Sequence, residues 1–199
     1  MTMSTYKSLS KVYNKSKIIP YNNQSKFVIM SDCHRGAGNL GDNFLKNQHL
    51  FFAALKNYYE KGFTYIELGD GDELWENRTM EIWGVNDPTA AGKNFTKKNK
   101  VERRLMKWAE IEKKIFIAGH THRPTFPIVG EGMYFNDGSC VHPRCITALE
   151  IEEGKITLVK WCVMTREDRS MYVERVVLEG PEKIEDYFEL NNDNAKAET

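Results

Sequence analysis

The sequence predicts a mixed α/β fold, and three observations carry that expectation. Short apolar runs at Lys26-Phe27-Val28-Ile29-Met30, Tyr65-Ile66-Glu67-Leu68 and Ile115-Phe116-Ile117-Ala118 have the length and composition of buried strands. Between the first two runs, apolar side chains recur at helical spacing. Each run then empties into a polar cluster that contains glycine together with aspartate or histidine.

In chain order, Met1 to Gln24 is polar and rich in Lys, Ser, Asn and Tyr, with a short leading helix expected around Tyr6–Tyr13. Lys26–Met30 follows as the first strand and runs into Ser31-Asp32-Cys33-His34-Arg35-Gly36. Phe44, Phe51, Leu55 and Tyr58 predict a helix over about Asp42–Lys61, with Phe52 and Tyr59 widening its stripe and Gly62 closing it. Tyr65–Leu68 is the second strand and runs into Gly69-Asp70-Gly71-Asp72-Glu73. Strand, helix, strand is the signature of a parallel βαβ unit. Asp87-Pro88 reads as a helix start, and Val101, Leu105, Trp108 and Ala109 predict a helix over about Thr96–Lys113. The third strand runs into Gly119-His120-Thr121-His122-Arg123-Pro124. Met133–Phe135, Cys145–Ile151, Lys155–Val163 and Met171–Leu178 are further short strands, with Glu153-Gly154 as a hairpin turn. A short helix is expected near Lys183–Leu190. The chain thus divides into a polar lead (1–24), one domain (25–180) and an acidic tail (181–199) expected to be partly disordered.

Composition removes several classes of function. Hydrophobic residues make up 41% of the 199, enough for a core, so wholesale disorder is excluded. Lys+Arg and Asp+Glu are both 28, so the formal net charge is zero. No nucleic-acid partner is expected from that balance. The local basic run Lys93, Lys97, Lys98, Lys100, Arg103, Arg104 and Lys107 reads as the solvated face of an amphipathic helix. No apolar run approaches the roughly 18 residues of a membrane span. The N-terminus lacks an apolar leader, so cytoplasm is the expected location. Cys33, Cys140, Cys145 and Cys162 form no C-x-x-C pair and are expected as free thiols of a reducing compartment.

The chemistry-bearing residues sit at the strand ends: Asp32 and His34, then Asp70, then His120 and His122. Ligands of open α/β sheets bind beyond the carboxyl ends of strands, so these five side chains are expected to gather from three distant points. Carboxylate and imidazole without thiolate suit Mn, Fe, Zn or Co rather than a closed structural zinc site.

Ser31-Asp32-Cys33-His34, Gly69-Asp70-x-x-Glu73 and Gly119-His120-Thr121-His122 resemble the first, second and last motifs of the calcineurin-like metallophosphoesterase superfamily. The resemblance covers about Lys26 to Ile151. It implies a two-sheet β sandwich flanked by helices (αββα). It implies a binuclear site in which Asp32, His34 and His122 hold one metal and Asp70 bridges to a second held partly by His120. Two divalent transition metals are implied, Mn²⁺ first, with Fe, Zn, Ni or Co as alternatives. The implied activity is hydrolysis of a phosphoester or pyrophosphate bond in a small phosphorylated substrate by metal-activated hydroxide. Gly69-Asp70-Gly71-Asp72-Glu73-Leu74-Trp75 and Asn136-Asp137-Gly138-Ser139 are similar to the bacterial branch that cleaves the pyrophosphate of UDP-2,3-diacylglucosamine. Arg35 and Arg123 adjoin the motifs and are candidates to bind the substrate phosphate. His142-Pro143-Arg144 reads as a turn that could edge the site.

One part of the family pattern is missing. The Gly-Asn-His-Asp/Glu motif and a further histidine belong between the second and last motifs. No histidine occurs between Glu73 and Gly119, and none of Asn77, Asn86, Asn94 or Asn99 precedes one. His49, on the predicted helix, reads as a surface residue. The break falls at about Trp75–Trp83. It is explained by ordered pieces of a longer protein joined together, by an engineered deletion, or by a naturally shortened relative. The first is favoured because the flanking motifs look intact. The third corresponds to the alternative function, a catalytically inactive metal-binding or scaffolding relative. The sequence leaves the oligomeric state open.

Overall fold

The structure is a computed structural model that describes residues 3–36, 38, 42–72 and 100–189. The Asp87-Pro88 helix start, the break at about 75–83 and Lys93, Lys97 and Lys98 lie outside the described residues. In order, the elements are α1 (Met3–Lys15), β1 (Phe27–Met30), α2 (Gln48–Glu60), β2 (Thr64–Glu67), α3 (Lys100–Glu112), β3 (Phe116–Ala118), β4 (Tyr134–Asn136), β5 (Cys145–Glu152), β6 (Lys155–Thr165) and β7 (Met171–Lys183).

The fold is mixed α/β. One sheet has five strands in the order β2-β1-β5-β6-β7, and a second pairs β3 with β4 in parallel. β1 and β2 are parallel, as expected for strands joined by α2, with Val28 opposite Tyr65 and Met30 opposite Glu67. The other pairings of the large sheet are antiparallel. β3, which the sequence treats like the first two strands, belongs to the small sheet.

Alternation along the central strands builds two cores. Val28, Met30, Ile146, Ala148, Val159 and Trp161 meet Leu50, Phe51, Ala54 and Tyr58 of α2. Ile29, Leu149, Ile156 and Leu158 point the other way, onto Met133 and Phe135 at β4, Ala109 of α3 and Tyr187. The order of layers is therefore α2, large sheet, small sheet, α3. α1 lies against α3, with the Tyr13 and Trp108 rings 5.8 Å apart.

Several expected boundaries shift for local reasons. The Asp42 carboxylate accepts from the backbone N–H of Phe44 and Leu45 at 3.0 and 3.1 Å. The first turn is then a 3₁₀ helix, Leu45–Asn47, and the α-helix proper starts at Gln48. Gly62 closes α2 with φ +75, the left-handed conformation expected of a C′ glycine. Phe52 and Tyr59 do not widen the buried stripe. Both face solvent, since a helix packed on one sheet buries a single face. Val101 is exposed too, whereas Trp108 and Ala109 are buried. His49 is exposed. The Glu153-Gly154 turn has positive φ at both residues, 51 and 73, which matches the twist of a tight hairpin. β7 continues through Lys183, and Tyr187 is fully buried, so the domain includes residues assigned above to the tail. Among the described residues, the helix near the end covers 186–189.

No helix among the described residues is long and apolar enough to cross a membrane. The four cysteines are free, and three of them are buried.

Candidate metal centre

The ends of β1, β2 and β3 meet at one edge. Beyond β1 the parallel ladder continues as loop pairing. Asp32 N–H donates to the Gly69 carbonyl at 3.0 Å, His34 N–H to Asp70 at 2.9 Å and Arg35 N–H to Gly71 at 2.9 Å. Nine described non-glycine residues have positive φ, and five of them are Asp32 (53), His34 (48), Asp70 (48), His120 (70) and His122 (52). Such backbone costs ~1 kcal/mol or more per residue and tends to collect at functional sites.

These five side chains form two groups whose nitrogen and oxygen atoms lie within 4.8 Å of one another: Asp32, His34, His122 and Asp32, Asp70, His120. In the first, His122 Nε2 is 3.1 Å from Asp32 Oδ1, and His34 Nε2 is 3.8 Å from it. The two Nε2 atoms are 3.2 Å apart. In the second, His120 Nδ1 is 2.6 Å from Asp70 Oδ2. The groups differ in burial. Asp32 is 0% exposed and His122 11%, whereas His120 is 86% exposed and Asp70 42%. A cavity of about 190 Å³ opens between Asp32, Asp70 and His120. Asp32 is the carboxylate common to both groups, and Asp70 belongs to the second.

Asp32 is held asymmetrically. Its Oδ2 accepts from the His120 backbone N–H at 2.6 Å and from the Ser31 hydroxyl. Its Oδ1 is buried without a hydrogen-bond partner of good geometry, although two imidazoles face it. Burial opposes ionisation of this carboxyl, but His122, His34, Ser31 and the His120 N–H together hold its pKa well below the carboxylate range. The result is an ionised oxygen and two ring nitrogens converging on one point. Three lone-pair donors need a cation or protons between them.

The neighbouring chain is built to permit this. A Cβ on Gly119 would lie 2.0 Å from Ser31 Oγ and 2.7 Å from Asp32 Oδ2, so only glycine admits the close approach. Asn136 fixes the loop that carries both histidines. Its Nδ2 donates to the Gly119 carbonyl at 3.1 Å and to Thr121 Oγ1 at 3.2 Å, and its Oδ1 accepts from Gly138 N–H at 2.9 Å. Asp137 Oδ1 lies 2.8 Å from Ser31 Oγ. Burial, with a smaller push from Asp32 and against the Ser31 hydrogen bond, raises the Asp137 pKa to about 7. Ser31 stands in the first motif, and Asn136 and Asp137 in the Asn136-Asp137-Gly138-Ser139 run, but the motifs alone assign none of the three a role. The signal was available as a polar run directly after an apolar strand.

The two arginines separate. Arg35 is not open to a phosphate: its guanidinium lies 2.8 Å from Glu67 Oε1 and 3.0 Å from Asp72 Oδ1. The β1 and β2 loops pair at that point, which brings the opposite charges together. Arg123 and His142 line a second cavity, of about 470 Å³, that begins at His122.

No protein-family model matches the chain. No curated protein matches its sequence. Among solved structures it is similar to Vps29 of Chaetomium thermophilum, at 13% identity and a TM-score of 0.37, over 81% of this chain and 100% of that one. A superposition that loose adds nothing to what the chain's own geometry carries.

Proposed function

We propose that the chain is a metal-dependent hydrolase of a phosphoester or pyrophosphate bond, of the metallophosphoesterase kind. The observation that supports it is the convergence of three strand ends into two donor groups that share Asp32. The donor set suits hard to borderline divalent cations, Mn²⁺ first, and the buried Asp32 Oδ1, faced by two imidazoles but without a well-formed hydrogen bond, is the atom such an ion would satisfy. Asp32, His34 and His122 would hold one ion. Asp70 and His120, with Asp32, would hold a second. When bound, such cations would lower the pKa of a water and neutralise charge developing on the phosphoryl oxygens. The chain's own part is to keep Asp32 ionised through Ser31 and the His120 N–H. Asn136 steadies the two histidines, and Arg123 stands where it can meet the substrate.

A second reading, a metal-binding relative without catalysis, has one observation in its favour. The second group offers three protein ligands among the described residues and stands largely open to solvent. Metal content by elemental analysis, together with turnover of bis(p-nitrophenyl) phosphate with Mn²⁺, separates the two. Hydrolysis predicts two metals per chain and a loss of at least on the order of 10²-fold in Asp70→Asn. Arg35→Ala should lose much less, because Arg35 is occupied by carboxylates. One metal without turnover selects the second reading, and a chain that takes up no Mn²⁺ or Zn²⁺ excludes both.

A further inference from the structure

The cavity of about 470 Å³ beside His122 is lined by several basic side chains. Among the described residues its wall carries Arg123, His142 and Lys160, with Pro124 and Leu178 as apolar surface, and none of those lining residues is a carboxylate. Among the described residues, the side chains of two of these groups have no polar partner. Lys160, on β6 opposite Thr147 of β5, is half-buried, and no described carboxylate lies within ion-pair distance of it. His142 Nε2 is buried and has no hydrogen-bond partner among the described residues. The ring of His142 stands nearly perpendicular to that of His122, with centroids 6.4 Å apart, so the cavity is continuous with the buried donor group.

We infer that this cavity is a subsite for a second, non-scissile phosphate of the substrate, held by Lys160 and His142 with Arg123 beside them. The substrate class is then a small doubly phosphorylated molecule, with one phosphate ester at the donor groups and the other in the cavity. Cationic and N–H donors from three separate segments suit a tetrahedral dianion better than a planar carboxylate. The cavity exceeds the size of a phosphate, which leaves room for the body of the molecule against Pro124 and Leu178. Thr147 Oγ1 accepts from Ser139 N–H at 2.9 Å, so it shapes the wall rather than binding the ligand.

The inference rests on the phosphoesterase reading for the fate of the substrate, but the subsite itself can be tested without turnover. The chelator-treated full chain is titrated with inorganic phosphate, and the histidine ring signals are followed by NMR. The His142 and His122 signals should move in a saturable manner. Lys160→Met, which keeps the stem of the side chain, should weaken binding by roughly 10-fold or more, and Lys160→Arg should restore most of it. Circular dichroism establishes that the variants are folded, and a second variant, His142→Gln, should also weaken binding. Phosphate that moves only His34 and His120, or that binds Lys160→Met and the unaltered chain equally, overturns the subsite. So does a chain that binds no phosphate. Phosphate binding that depends on Lys160 in a chain without Mn²⁺-dependent turnover leaves the subsite standing and removes the hydrolase reading instead.

Discussion

Asp32, His34, Asp70, His120 and His122 share an unfavourable backbone conformation because the loops that hold them are pinned on both sides. Strain of this kind persists only where surrounding bonds over-determine it. Asp137 illustrates the electrostatic side of the same arrangement. A protonated Asp137 can donate to Ser31 Oγ, which leaves the Ser31 proton for Asp32 Oδ2. The pKa of about 7 has a consequence for stability. Below about pH 4 both the folded and the unfolded chain carry the proton, so nothing is lost. Between about pH 4 and 7 the unfolded chain releases it and the folded chain keeps it, so stability falls as pH rises. Above pH 7 the full loss remains, on the order of a few kcal/mol. In chelator-treated protein, Asp137→Asn should flatten this fall. Urea midpoints measured from pH 4 to 8 for both chains check it, and parallel curves would show that Asp137 ionises normally.

At the scale of elements, α2 is fastened to the large sheet by a polar tie inside an apolar interface. Tyr58 OH donates to Glu150 Oε1 at 2.6 Å and accepts from Trp161 Nε1 at 2.8 Å. Arg175 of β7 completes the set through its Nε, 2.7 Å from Glu150 Oε1. One tyrosine therefore joins a helix to β5 and β6, and through Glu150 to β7. Tyr58→Phe keeps the ring but leaves the Trp161 N–H without an acceptor. The expected cost is ~1–3 kcal/mol, because an orphaned buried donor loses its water as well as its partner. The urea midpoint should drop with an unchanged slope. A midpoint equal to that of the parent chain would mean that the tie adds nothing to packing. Asn47, just before α2, acts similarly, donating to the Cys140 and His142 carbonyls at 2.8 and 2.7 Å. It links the start of the helix to the loop beneath the proposed phosphate subsite.

For the molecule as a whole, the second core depends on a residue far from the site. Tyr187 is fully buried, its ring centroid 5.2 Å from that of Phe135, and its hydroxyl donates to the Pro127 carbonyl at 2.8 Å. It closes the layer between the two sheets from the C-terminal side. Tyr187→Ala removes a large aromatic from a packed site, at an expected ~3–5 kcal/mol. For a domain of this size the melting temperature should fall by roughly 10 °C. Differential scanning calorimetry measures this directly, and a shift of a degree or less would show that the segment after β7 is dispensable. Because Phe135 lies on the strand that leads to Asn136, loosening here should also reduce metal affinity.

The sequence by itself determined the strands, the parallel βαβ unit, the Gly62 and Glu153-Gly154 punctuation and the identity of the donor residues. All of these depend on local periodicity, on turn chemistry or on residue type. Tertiary structure alone decided the rest. That β3 leaves the large sheet for a second one follows from its pairing with β4, a partner that no local pattern names. That Asp32 is shared between both donor groups depends on the close approach of Gly119 to Ser31, 88 residues earlier in the chain. Arg35 looked available beside the first motif. Only the pairing of the two loops brings it Glu67 and Asp72. Lys160 carries no motif, and it became visible only when β6 placed it in a cavity with His142 and, among the described lining residues, no carboxylate. Local sequence specifies which groups a chain can offer, whereas burial and counter-charge are properties of neighbours brought together by folding.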